Sequence, residues 1–195
     1  MASNVYSETN PSGYKEQLPV KIACLLPMSG PGAHYGEDSE AAIRIAEEEL
    51  ALAAKVSDGV AVNVLIGDTK SKPLRAVQLA RHFIDNEKAA FLCGGVSSSV
   101  ALAVTQIARA KKTIFVGTDH ASPRLVDEAR HPYYFRMSNG TRQSMRAGAK
   151  YIAQQYTQST PLKIAFIGPD YDYGYRAWDD LRYFLTQEKL SLIHI

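Results

Sequence analysis

The strongest constraint in this chain is a regular alternation. Short apolar runs at Lys21–Leu26, Val60–Ile66, Ala90–Cys93 and Thr113–Val116 are each followed by a loop carrying Gly, Ser or Pro, and the first three loops lead into amphipathic segments of helical length. A strand–loop–helix unit returns the chain to its starting edge, so successive strands run parallel. Near-continuous apolar strands fit a sheet covered on both faces, with right-handed crossovers. The predicted helices span Tyr35–Lys55, Lys72–Asn86 and Ser98–Ala110. In the first, Ala41, Ala42, Ile45, Ala46 and Leu50 fall at helical spacing. In the second, Pro73 suits a first turn, and Leu74, Val77, Leu79, Ala80 and Phe83 supply apolar positions.

Beyond the fourth strand the pattern changes. Pro123–Glu128 reads as a short helix behind a turn, Tyr133–Arg136 as extended, and Arg142–Tyr156 as a helix. Lys163–Gly168 (KIAFIG) then reads as a new strand and Gly174–Gln187 as a new helix. This divides the chain into a polar leader (1–20), a first lobe (21–138) with a crossing near Tyr133–Asn139, and the start of a second lobe (139–189). The lobes open alike, since each first strand runs into a loop ending in Tyr-Gly, at Tyr35-Gly36 and Tyr173-Gly174. The final residues LSLIHI (190–195) are the translation of the transposase adapter CTGTCTCTTATACACATC, and are expected to be non-native; a short terminal strand is the alternative.

Composition excludes several classes. The chain is 46% hydrophobic and 22% charged, an ordinary globular balance. Its net charge of +2 is scattered, which argues against a nucleic-acid surface. No apolar run reaches the ~18 residues of a membrane span. The leader lacks the apolar core of a signal peptide. Cys24 and Cys93 each lie inside an apolar strand and are expected as buried reduced thiols, because a disulfide between neighbouring strands needs unusual geometry. No Cys/His cluster has metal-ligand spacing, and no metal or cofactor is expected.

In open α/β sheets small ligands bind beyond the carboxyl ends of the strands. The first such loop carries Ser29, His34 and Tyr35; the third carries Ser97-Ser98-Ser99 behind Gly94-Gly95; the fourth is Gly117–Pro123; and Pro169–Gly174 follows KIAFIG. Serine hydroxyls and free backbone N–H groups at a helix start suit a carboxylate. Tyrosine gives an apolar wall with a polar tip. Gly30-Pro31-Gly32…Gly36 is one residue longer than a dinucleotide fingerprint, and no acidic residue ends a second strand about 20 positions later, the next strand ending only at Asp68, which leaves a nucleotide-binding α/β enzyme as a minor alternative. Asp119-His120 could tune a general base, but no G-x-S-x-G elbow is present, so no catalytic residue is assigned.

The segments LLPMSGPGAHYGED, GGVSSS and GTDHASPRL resemble the type I periplasmic solute-binding proteins, in particular the branched-chain amino-acid (leucine/isoleucine/valine) binding family, and the likeness runs from Leu18 to about Lys189, roughly the first half of such a protein. The resemblance implies an α/β fold of two lobes with a doubly wound parallel sheet in each, the first lobe mostly present and the second truncated. It implies the extracytoplasmic substrate-binding component of an ABC importer, which holds an amino acid or similar small solute between its lobes without chemistry and delivers it to a permease and ATPase complex. It also implies a periplasmic location; a genuine start at Met1 would instead favour a cytoplasmic ligand sensor on the same fold. By resemblance, Ser97, with Ser98 beside it, holds the ligand's carboxylate. Backbone carbonyls of Asp119, His120 and Ala121 take its ammonium. Ser122 stands in for a family Thr hydroxyl where this chain has Ala121, and Tyr35 and Tyr173 face each other across the cleft. Asp119 and His120 replace residues that are usually small, so leucine is not assigned; amino-acid, amide, urea-like and aromatic carboxylate solutes all remain open.

Overall fold

The computed structural model describes residues 19–56, 61–155, 164–188 and 190. Five strands, β1 (Val20–Leu26), β2 (Val62–Asp68), β3 (Phe91–Gly94), β4 (Ile114–Gly117) and β5 (Tyr134–Arg136), form one parallel sheet in the order β2-β1-β3-β4-β5. Helices α1 (Ala33–Val56), α2 (Pro73–Asp85) and α3 (Ser98–Lys111) connect the first four strands, as the alternation predicts. The order reverses direction after β2. Right-handed crossovers therefore put α1 on one face and α2 with α3 on the other, and the reversal lies between β1 and β3.

The core lies on the α2–α3 face. Ala23 and Leu25 of β1, Leu92 of β3, Phe115 of β4 and Tyr134 of β5 meet Ala76, Ala80 and Phe83 of α2 and Val100, Val104 and Ala108 of α3. The opposite face is only partly covered. The stripe predicted to bury α1 stands largely open, with Ile45 59% and Leu50 47% exposed. Helical periodicity identifies an apolar face but not what covers it.

The cysteine expectation is corrected. Cys24 and Cys93 are joined in a disulfide. The parallel register sets them directly opposite each other on β1 and β3, with Cα atoms 4.4 Å apart, close enough for a bridge. The bond thus joins the two strands that flank the reversal.

A second correction concerns KIAFIG. Lys163 lies outside the described residues, and residues 164–168 take no strand, with no pairing partner among the described residues. A strand exists only through a neighbour's N–H and C=O groups. Ile167 is accordingly 96% exposed, while Ile164 and Phe166 pack on a small second core between α4 (Thr141–Gln155) and α5 (Asp172–Gln187) around Ala149, Leu181 and Leu185. The short helix predicted from Pro123 is a single 3-10 turn, Pro123–Leu125. The leader to residue 18 and residues 191–195 of the tail lie outside the described residues; Leu190 donates its amide to the Leu185 carbonyl.

Candidate ligand cleft

The strand reversal places the loops after β1 and β3 side by side at the carboxyl edge of the sheet. The first loop is held from below by Asp68, the last residue of β2. Its carboxylate accepts from the Met28 amide (3.0 Å), the Ser29 amide (3.3 Å), the Ser29 hydroxyl (2.6 Å) and the Lys70 amide (2.9 Å). Burial alone would raise this carboxyl group, but the Ser29 hydroxyl and the three amides outweigh it and hold Asp68 below the usual carboxylate range. Ser29 is therefore occupied as a loop brace. Asp68 closes β2, two residues beyond the predicted strand end at Ile66, and its oxygens are spent on this loop.

Both Tyr-Gly pairs are built alike. A Cβ on Gly36 would run into the Pro27 carbonyl, and a Cβ on Gly174 into the Pro169 carbonyl. Each helix thus starts pressed against the proline of its loop, which sets the preceding tyrosine at the helix mouth. Tyr35 is 47% exposed there, with its ring against His34 at a centroid distance of 4.0 Å. Tyr173 stands beside Tyr171 at 6.2 Å. The Tyr171 hydroxyl is raised, first by burial and then by Tyr173, Tyr35 and Asp119. Tyr171 was not singled out in the sequence. The Tyr-x-Tyr-Gly spacing was its only signal.

The third loop carries the serines. Ser97 is the N-cap position of α3, in extended conformation, and its hydroxyl makes no capping bond. Among the described residues it has no hydrogen-bond partner, so it is free at a helix N-terminus. Ser98 is not free: it is buried, and its hydroxyl accepts from the Ser122 amide at 3.2 Å.

The fourth loop departs most from expectation. Asp119 is exposed, with no hydrogen bond or ion pair among the described residues, and partial burial raises its carboxyl group. His120 is fully buried rather than facing a ligand. Its ring lies beneath Gly95, whose φ of +92° and missing Cβ leave room for the imidazole, and beside Phe115 and Tyr134. Burial, reinforced by the Arg136 charge, lowers it to about 3, so it is neutral and unsuited to general-base work. Its carbonyl accepts from the Ser138 hydroxyl (3.2 Å), and that of Ala121 from the Thr141 amide (2.9 Å). Ser122 is likewise buried, and its hydroxyl accepts from the Arg124 amide at 3.3 Å to cap the 3-10 turn. Tyr35, Ser97, Asp119 and Tyr173 thus stand at least partly open on these loops, whereas the side chains of Ser98, His120 and Ser122 are buried beneath them. The α5 side is tied on by Arg124, which donates to Asp172 at 2.9 Å, and by the Thr141 hydroxyl on Asp180.

A parallel sheet that reverses at a loop-lined cleft, faced by a second element, is the architecture of a solute-binding lobe. The chain matches the periplasmic binding protein family over residues 19–194, and it belongs to that family. It is 27% identical over 155 residues to a leucine-, isoleucine-, valine-, threonine- and alanine-binding protein of Pseudomonas aeruginosa, covering 80% of this chain and 40% of that protein. Among solved structures, a solute-binding protein of an ABC transporter from Rhodopseudomonas palustris BisB5, in complex with 3,4-dihydroxybenzoic acid, superposes with a TM-score of 0.79 at 22% identity, over 90% of this chain and 46% of that one. A leucine-binding protein from Thermotoga maritima gives 0.77 at 24%, over 90% and 48%. The chain therefore spans about half the length of the proteins it matches. Among the described residues no helix is long and apolar enough to cross a membrane.

Proposed function

We propose that this chain forms the ligand-capturing part of the solute-binding component of an ABC importer. It holds a small solute at the carboxyl edge of the sheet, does no chemistry on it, and presents it to a permease and ATPase complex. One observation carries the reading: the sheet order reverses between β1 and β3, which sets the loops that hold Tyr35 and Ser97 side by side at the carboxyl edge. There, Ser97 and the open N-terminus of α3 offer donors to a carboxylate. Closure of the α5 side over the solute is the expected motion. An extracytoplasmic location is supported by the family and by the Cys24–Cys93 disulfide, since such bonds persist in oxidising compartments.

The test is a thermal-shift screen of the protein expressed from the complete reading frame at its locus, against amino acids, amides and aromatic carboxylates. A true ligand at 100 times its Kd stabilises the folded state by about 2.7 kcal/mol. A screen in which no solute shifts the transition, or in which a solute is turned over, contradicts the proposal.

A further inference from the structure

The turn after β2 is built onto the first loop. The Asp68 carboxylate accepts from the Met28 amide, the Ser29 amide and the Ser29 hydroxyl at 3.0, 3.3 and 2.6 Å. Thr69 is buried, and its amide and hydroxyl both donate to the Leu26 carbonyl, at 2.8 and 3.1 Å. The Ser71 hydroxyl donates to the Pro31 carbonyl at 2.9 Å. These bonds join residues 39 to 43 positions apart, so the turn meets the loop at its start, its middle and its far end. The turn is itself constrained. Lys70 and Ser71 are successive non-glycine residues in the left-handed region, at φ +52° and +54°. Such a pair persists only where its surroundings fix it. Here the Lys70 amide is held by the Asp68 carboxylate at 2.9 Å and the Ser71 amide by the Thr69 hydroxyl at 3.3 Å.

From the loop the constraint passes to Tyr35. The Tyr35 amide donates to the Gly32 carbonyl at 3.0 Å, one residue beyond the carbonyl that Ser71 holds. A Cβ on Gly32 would stand 3.7 Å from the Ser71 hydroxyl oxygen and 3.8 Å from the Tyr35 ring, so the turn, the loop and the tyrosine are in mutual contact range. Resting on the solute-binding reading above, we propose that Asp68 and Ser71 are positioning residues for solute capture: they touch no solute, and they fix the loop at 27–32 so that Tyr35 is presented to it. A loop ordered in advance costs less entropy when the solute arrives. The action is geometric rather than electrostatic, because both Asp68 oxygens are committed to donors of the protein itself.

The experiment uses the protein from the complete reading frame, with L-leucine, 3,4-dihydroxybenzoate and any solute returned by the thermal-shift screen as probes. Titration calorimetry should show Asp68→Ala weakening the probe that binds by about tenfold or more, and Ser71→Ala by about threefold or more. Asp68→Asn should bind within about threefold of the unmodified protein, because its Oδ1 still accepts from the amides and its Nδ2 donates to the Ser29 hydroxyl. In a Tyr35→Ala background, Asp68→Ala should cost less than about threefold more, since residues acting through one contact are not additive. Hydrogen exchange without solute gives a second readout: the amides of 27–36 should exchange about tenfold or more faster in Asp68→Ala, and about threefold or more faster in Ser71→Ala, than in the unmodified protein. Where Asp68→Ala does not fold, Ser71→Ala carries the same comparisons. Unchanged binding or unchanged exchange in these variants, a loss that adds in full to that of Tyr35→Ala, or a loss that Asp68→Asn does not restore overturns the inference while solute binding stands. If no probe binds the unmodified protein, both readings fall.

Discussion

Removing the Cys24–Cys93 disulfide should destabilise the sheet without altering its topology. The bridge closes a loop of 69 residues, which carries β2 and the helices on either side of it. The chain-entropy relation gives about 4.4 kcal/mol for a loop of that length, and native bridges typically deliver about 2–4. Cys24 is 4% exposed, so truncation also leaves a small void. The assay is urea unfolding of the oxidised protein, the reduced protein and the Cys24→Ala/Cys93→Ala variant. With a slope of about 3 kcal/mol/M, a loss of about 3 kcal/mol lowers the midpoint by about 1 M. Thiol titration of the oxidised protein, denatured without reductant, should find no free thiol. Two free thiols, or coincident midpoints for all three samples, would refute the reasoning.

Three further outcomes are expected. Ser97→Ala should weaken binding of the solute found in the screen by about 1–3 kcal/mol in calorimetry, because a carboxylate at the start of α3 loses a donor; unchanged affinity rejects that contact. Tyr173→Ala should weaken binding by about 1–3 kcal/mol while changing the urea stability of the protein by less than about 0.5 kcal/mol. A larger stability loss with intact binding would place Tyr173 in packing instead. His120 titrates at about 3 when folded and near 6.5 when unfolded, so the unfolded chain binds the extra proton between those values. Stability should be unaffected by His120 above pH 6.5 and should fall by up to about 1.4 kcal/mol per unit as pH drops toward 3. His120→Gln should flatten unfolding measured from pH 7 to pH 5, and an unchanged slope contradicts the burial argument.

Much of the fold was legible because parallel α/β units announce themselves locally. Each apolar run, turn and amphipathic helix is written in consecutive residues, and β1 to β4 were found to within two residues at each end. What the sequence hid depends on partners distant along the chain. KIAFIG has the composition of a strand but no neighbour to pair with among the described residues. The α1 stripe has helical spacing but little cover from the sheet. The disulfide follows from the register of β1 against β3, which no local pattern encodes. Of the residues picked out on the loops at the sheet edge, Tyr35, Ser97, Asp119 and Tyr173 keep side chains at least partly open. Their buried neighbours could not be told apart in the sequence: Ser98, His120 and Ser122 are as polar, and only the hydrogen bonds of Ser98 and Ser122 and the space beneath Gly95 send them inward.

The central claim is that a small solute is held between the sheet edge and the α5 side. A co-crystal structure of the protein from the complete reading frame, with the tightest solute from the screen, tests it most directly. The account predicts ligand density bounded by Tyr35, Tyr171 and Tyr173, with a carboxylate at Ser97. Ligand density away from these residues, or a cleft empty at saturating solute, would contradict it.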